Sequence, residues 1–222
     1  MHQGKDITGA NAQEDHRYPF AGAPNAKVRL GVVPAAGAGD PAEPIWMDLG
    51  ADQDIYLARV QWLPDGSLSA QIENRAQTTL DLLRFDPHTG ERSMLLRETS
   101  DVWINLHQIF RPLRGGDYAG SFIWASERDG FQHLYLYDQD GRLIRQLTRG
   151  EWMVESLAGV DEARGLVYFT ATRESPLETH LYVVALADGG EIGEPRKITQ
   201  APGKHVVVLD HACARFVDRH DS

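Results

Sequence analysis

Short apolar runs alternate with polar turns along the whole chain, and their recurrence defines the fold. Four stretches are rich in Leu, Val and Tyr and are followed by a polar turn and a second strand. They are VRLGVV (Val28 to Val33), LDLLRFDPHTGERSMLL (Leu80 to Leu96), HLYLYDQDGRLIRQLT (His133 to Thr148) and HLYVVALADGGEIGEPRKIT (His180 to Thr199). Superimposing Leu30, Leu82, Leu134 and Leu181 gives spacings of 52, 52 and 47 residues. Repeats of this length, each holding several short strands, predict the blades of a β-propeller.

The turns carry hairpin chemistry. Asp86-Pro87-His88-Thr89-Gly90 pairs a fixed-φ Pro with a permissive Gly, and Gln139-Asp140-Gly141 contains Asp-Gly. Asp188-Gly189-Gly190 does the same in the last copy. Between these hairpins the pattern predicts two further strands per unit. The first pair is Ala58 to Trp62 with Ser67 to Glu73, and the second is His107 to Phe110 with Ser121 to Ser126. The third is Val154 to Val160 with Leu166 to Ala171, and His205 to Leu209 with Ala214 to Asp218 begins a fourth. The predicted fold is all-β: four-stranded antiparallel blades forming a partial propeller of about four blade-equivalents. It has the outer hairpin of one blade, three full blades and the inner pair of the next, about sixteen strands over residues 27–222. Residues 1–26 read as a polar loop, and Ala35 to Pro44 as a loop between strands. No amphipathic helix of useful length is visible.

Composition fits an ordinary globular chain, with 42% hydrophobic and 24% charged residues. The formal net charge is −10 and no run of Lys and Arg occurs, which argues against a nucleic-acid partner. No apolar run is long enough to span a membrane. The single cysteine, Cys213, rules out an internal disulfide and reads as a small residue on a strand.

The search for chemistry returns mostly packing. There is no G-x-S-x-G elbow, no P-loop, no Rossmann glycine pattern and no H-E-x-x-H, so no cofactor or metal is expected. Ser126 lies at a strand end and turn. His133 and His180 occupy one repeat position before Leu-Tyr, which points to packing or hydrogen bonding between adjacent strands. Glu14-Asp15 reads as a solvated pair, and Glu127-Arg128-Asp129-Gly130 as a turn with a local ion pair. Trp46, Trp62, Trp103, Trp124 and Trp152 suit inter-blade packing. Trp103 sits in DVWINLHQ, the connection into a new blade, and such connections line a mouth of the channel. A glycosidase would need two carboxylates facing one cavity, with Asp81, Glu127 and Glu174 as candidates.

Four peptides carry a family resemblance: RYPFAGAPNAKVRLGVV (Arg17 to Val33), WINLHQ (Trp103 to Gln108), ASERDGFQHLYLYD (Ala125 to Asp138) and TATRESPLETHLYVV (Thr170 to Val184). In order and separation they resemble the dipeptidyl peptidase IV branch of the prolyl oligopeptidase family. The resemblance implies part of an eight-bladed propeller followed by an α/β-hydrolase domain. Such enzymes release N-terminal dipeptides with Pro or Ala second. It places the catalytic triad beyond Ser222 and the amine-binding glutamate pair and substrate-contacting arginine before Met1, so no catalytic residue is carried over. Trp103, Asn105 and His107 are the substrate-facing candidates. Implied partners are a peptide substrate, the missing blades, the hydrolase domain and a possible second copy, in a periplasmic or secreted setting. The alternative from repeats and acidic charge alone is a stand-alone propeller interaction module. Residues 210 to 215 (DHACAR) depart from the family pattern and leave the final hairpin open.

Overall fold

The computed structural model describes residues 22–35, 43–189 and 193–221, and its strands follow the predicted repeats. A first hairpin pairs β1 (Gly31–Val32) with β2 (Ile45–Trp46). The first blade is β3 (Ile55–Trp62), β4 (Leu68–Asn74), β5 (Thr79–Phe85) and β6 (Arg92–Thr99). The second is β7 (Phe110–Pro112), β8 (Phe122–Ser126), β9 (His133–Tyr137) and β10 (Leu143–Gln146). The third is β11 (Val154–Asp161), β12 (Leu166–Ala171), β13 (His180–Ala185) and β14 (Arg196–Lys197). A last hairpin joins β15 (Lys204–Leu209) to β16 (Phe216–Asp221). Every blade is a simple antiparallel meander in chain order, and the five sheets do not close into a ring among the described residues.

Central strands are buried on both faces because each blade is packed between two neighbours. Strands β8, β9 and β13 are buried at every residue. Alternate side chains therefore serve different interfaces. Leu134 and Leu136 of β9 join a core with Val167 and Phe169 of the third blade. Tyr135 and Tyr137 of the same strand join Leu80 and Leu82 of the first. A strand facing apolar surroundings on both sides loses polar alternation, which is why HLYLY and HLYVVA read as continuous runs. The four superimposed leucines occupy equivalent places. Leu30 packs toward the first blade, Leu82 toward the second, Leu134 toward the third and Leu181 toward β15.

Several local expectations are corrected. The strand expected over His107 to Phe110 begins at Phe110 instead. The His107 imidazole takes the Ile109 N–H at 3.1 Å, a local bond that competes with the ladder. Cys213 is buried but lies in the β15–β16 turn with φ +51°, not on a strand. The final hairpin is regular, with six residue pairs from Lys204↔Asp221 to Leu209↔Phe216. Of the tryptophans, Trp124 is fully buried and Trp152 stacks on Phe169 and Tyr182. Trp46, Trp62 and Trp103 are exposed and do not fill blade interfaces. Glu14-Asp15, most of the 1–26 segment and residues 36–42 lie outside the described residues.

Candidate functional site

The connection from β6 to β7 is shaped by short-range hydrogen bonds. Ser100 Oγ accepts from the backbone N–H of Val102 at 3.3 Å and of Trp103 at 3.1 Å. Ile104 N–H donates to the Gln77 carbonyl at 2.9 Å, tying the connection to the β4–β5 turn. Trp103, Asn105 and His107 then line one cleft of about 320 Å³ with Glu98, Ser126, Glu127 and Arg128. The structure thus brings the three candidates together.

A polar chain sets the rim. The Trp103 indole N–H donates to Asn105 Oδ1 at 3.1 Å, and Asn105 Nδ2 donates to Glu127 Oε2 at 2.8 Å. Trp103 remains 53% exposed, so a flat apolar face stands open beside a carboxylate. Such a pairing suits a ligand with an apolar body and a polar or cationic end.

Glu98, on the outer strand of the first blade, organises the floor. Its carboxylate accepts from Trp124 Nε1 at 3.1 Å, Ser126 Oγ at 2.8 Å and the Arg128 guanidinium at 2.6 Å. Arg128 also donates to Ser126 Oγ at 2.9 Å and to the Tyr137 hydroxyl at 2.6 Å, and lies 4.3 Å from the Tyr135 ring centre. Burial alone would lower the Arg128 pKa, but Glu98 beside it leaves it raised. Burial likewise raises the Tyr137 hydroxyl. The local ion pair expected within Glu127-Arg128-Asp129-Gly130 is not what forms. Arg128 pairs 30 positions away, Glu127 holds Asn105, and Asp129 accepts from Tyr135 and Gln146. The turn itself is present, with Gly130 N–H on the Glu127 carbonyl. Glu98 is the residue that sequence reading missed, because nothing in its own neighbourhood marks its partners.

His107 forms the inner wall, edge-on to Trp124 with ring centres 4.5 Å apart. Burial depresses its pKa from 6.5 to about 4; a bond to the Ala125 carbonyl opposes this and Arg59 adds to it. Its Nδ1 accepts from Ile109, so the neutral ring carries its hydrogen on Nε2. The folded pKa lies below the unfolded value, so unfolding takes up a proton between the two. Stability therefore falls as pH drops from about 6.5 toward 4, by about 2 kcal/mol between pH 7 and 5. Urea midpoints at those two pH values should show this loss, and His107→Gln should reduce it. An unchanged slope in the variant would mean that His107 is not the group responsible.

Elsewhere the histidines divide. His133 Nε2 donates to the Gly150 carbonyl at 2.9 Å while Nδ1 meets Thr148 Oγ1 at 3.1 Å, and His180 Nδ1 meets Thr199 Oγ1 at 3.1 Å. The repeated histidine thus does the strand-linking expected of it. His205, Asp218 and His220 form a separate group on the last hairpin whose donor atoms lie within 4.8 Å of one another. Asp81 is bound bidentately by Arg97, and Glu174 accepts from Tyr182 at 3.4 Å. Of the three glycosidase candidates only Glu127 lines the cleft, so they do not share it.

Comparison with known proteins agrees with this architecture. The chain is 30% identical to mouse dipeptidyl peptidase 8 over 268 aligned positions, covering 94% of the chain and 30% of that protein. It is 32% identical to a probable dipeptidyl-aminopeptidase B of Emericella nidulans, covering 86% of the chain and 22% of that protein. The crystal structure of Porphyromonas gingivalis dipeptidyl peptidase 4 superimposes with a TM-score of 0.79 at 26% identity, over 91% of this chain and 27% of that one. The chain thus spans under a third of the length of these relatives. Residues 2–222 match the family described as the dipeptidyl peptidase IV (DPP IV) N-terminal region, and the chain belongs to that family as part of its β-propeller.

Proposed function

We propose that this chain is the gating and positioning part of a serine peptidase that releases N-terminal dipeptides with Pro or Ala second. Catalysis would reside in an α/β-hydrolase domain outside these 222 residues. The observation that carries the reading is the cleft at the blade connection. There the Trp103–Asn105–Glu127 chain holds an indole face open beside a carboxylate. A peptide over such a face gains contact area while its backbone is oriented for attack elsewhere.

The test has two arms. The chain alone should not hydrolyse Gly-Pro-p-nitroanilide; turnover blocked by serine reagents would overturn the division of labour. In the intact enzyme, Trp103→Ala should raise KM about fivefold to tenfold with little change in kcat, from loss of roughly 1 kcal/mol of aromatic contact. An unchanged KM would remove Trp103 from the substrate path.

The outer face of β15–β16 is where a second reading, a stand-alone interaction module, would act. Val206, Val208 and Val217 are more than half exposed there. In the proposed propeller the next blade covers them; in an interaction module they are the docking face. Either way the isolated chain should self-associate with rising concentration. A strict monomer by light scattering at high concentration would count against both.

A further inference from the structure

The last hairpin gathers three donor groups that the peptidase reading leaves unused. His205 and His220 stand directly opposite each other across β15 and β16, with ring centres 4.9 Å apart. Asp218 lies two residues before His220, and the strand period of two puts it on the same face. Lys204 and Arg219 alternate onto the other face, away from the three. His205 Nδ1 is 2.8 Å from Asp218 Oδ2, and His220 Nδ1 is 3.9 Å from that same oxygen.

The hydrogen bonding of His205 shows what this arrangement asks for. The ring is buried, with a side chain only 1% exposed, and its Nε2 lies 2.8 Å from the Ala201 carbonyl. A carbonyl only accepts, so Nε2 carries hydrogen. The neutral ring then presents the Nδ1 lone pair to a carboxylate oxygen at 2.8 Å. Two lone pairs repel at that distance unless a positive centre stands between them. A proton would serve for that pair alone. A third donor, the Nδ1 of His220, stands 3.9 Å from the same oxygen, near enough for one ion to gather all three.

We propose that His205, Asp218 and His220 form a binding site for a divalent transition-metal ion of the Zn²⁺ class. Two imidazoles and one carboxylate are a donor set suited to such ions. With bonds of about 2.0–2.1 Å, tetrahedral donor atoms stand roughly 3.3 Å apart. The 2.8 Å contact must open and the 3.9 Å contact close, each by about half an ångström, and the His220 ring, stacked at 21° to that of His205, must turn its Nδ1 lone pair toward the shared point. His220, with its side chain 43% exposed, has room for that adjustment. The Ala201 carbonyl supplies the outer hydrogen bond that fixes a ligating imidazole in the correct tautomer. The fourth position opens to solvent and takes water. The ion would clip the open end of a two-stranded sheet and hold His205 against His180, whose ring centre is 4.9 Å away.

The test uses the untagged chain, stripped with EDTA and titrated with Zn²⁺ or Co²⁺ alone. Wild type should bind an ion that His220→Ala and Asp218→Asn each weaken at least about tenfold. His88→Ala, an exposed histidine elsewhere, should bind as wild type. Co²⁺ should give the visible bands of tetrahedral coordination, absent in His220→Ala. Both altered residues are on the exposed strand β16, so metal-free melting should confirm that the variants fold. Nitrogen NMR of His205 separates the two positive centres: Nδ1 should shift on metal addition. Binding unaffected by His220→Ala, or an Nδ1 that stays protonated at saturating Zn²⁺, would overturn the site.

Discussion

Gly141→Ala should destabilise the chain by about 4 kcal/mol, the largest single effect expected at a residue with no side chain to lose. Gly141 closes the β9–β10 hairpin with φ +79°, where any L side chain is strained. A Cβ there would also sit 1.7 Å from the Leu95 carbonyl oxygen on β6 of the preceding blade. That atom is backbone and cannot swing aside. Gly90 repeats the arrangement one module earlier, where a Cβ would meet the Trp46 carbonyl oxygen at 2.2 Å. In both, the turn between third and fourth strands is pressed onto the outer strand of the blade before. Gly66 separates strain from collision: its φ is +86°, but nothing lies within 4 Å of the added carbon. Gly66→Ala should therefore cost only about 1 kcal/mol. Urea midpoints of the two variants check this, and equal losses would show that blade contact contributes nothing at Gly141.

Those glycines illustrate what could be read in advance. Asp140-Gly141 announces a hairpin because the turn chemistry is local. That the same glycine is also an inter-blade contact is a property of the assembled stack, with no local mark. The repeat itself was legible as a spacing, and the structure extends that equivalence to the face. Leu30, Leu82, Leu134 and Leu181 each point toward the following module, since equivalent positions meet equivalent surroundings. Tryptophan was a poorer guide. Apolar size makes Trp124 and Trp152 core residues, yet Trp46 lies under the Arg29 guanidinium at 3.4 Å on the surface. β7 starts later than its strand-like pattern predicts because an imidazole-to-backbone bond at His107 outcompetes that pattern. The rim of the cleft was legible as one short connection, since Trp103, Asn105 and His107 are neighbours in sequence. Its floor was not, because a charge pair spanning 30 residues leaves no period to detect.

That floor carries the second large effect. Glu98→Ala should cost about 3 kcal/mol, because it strips the acceptor from three donors at once. The Trp124 indole N–H is fully buried and has its bond to Glu98; Ser126 and Arg128 lose theirs with it. Arg128 keeps 35% of its side chain exposed, so the penalty stays below that of a fully buried unpaired charge. Glu98→Gln should cost less, since the amide oxygen still accepts from one donor. The informative variant is the double change Glu98→Ala with Arg128→Met. If the loss in Glu98→Ala is mainly an orphaned guanidinium, removing the guanidinium should recover more than half of it. If the loss is mainly the missing tie between blades, the double variant should be no more stable than the single. Denaturant titration of all four members of the cycle distinguishes these. Under the proposed function, a floor that has slackened should weaken peptide binding in the full peptidase even though Trp103 and Asn105 are untouched.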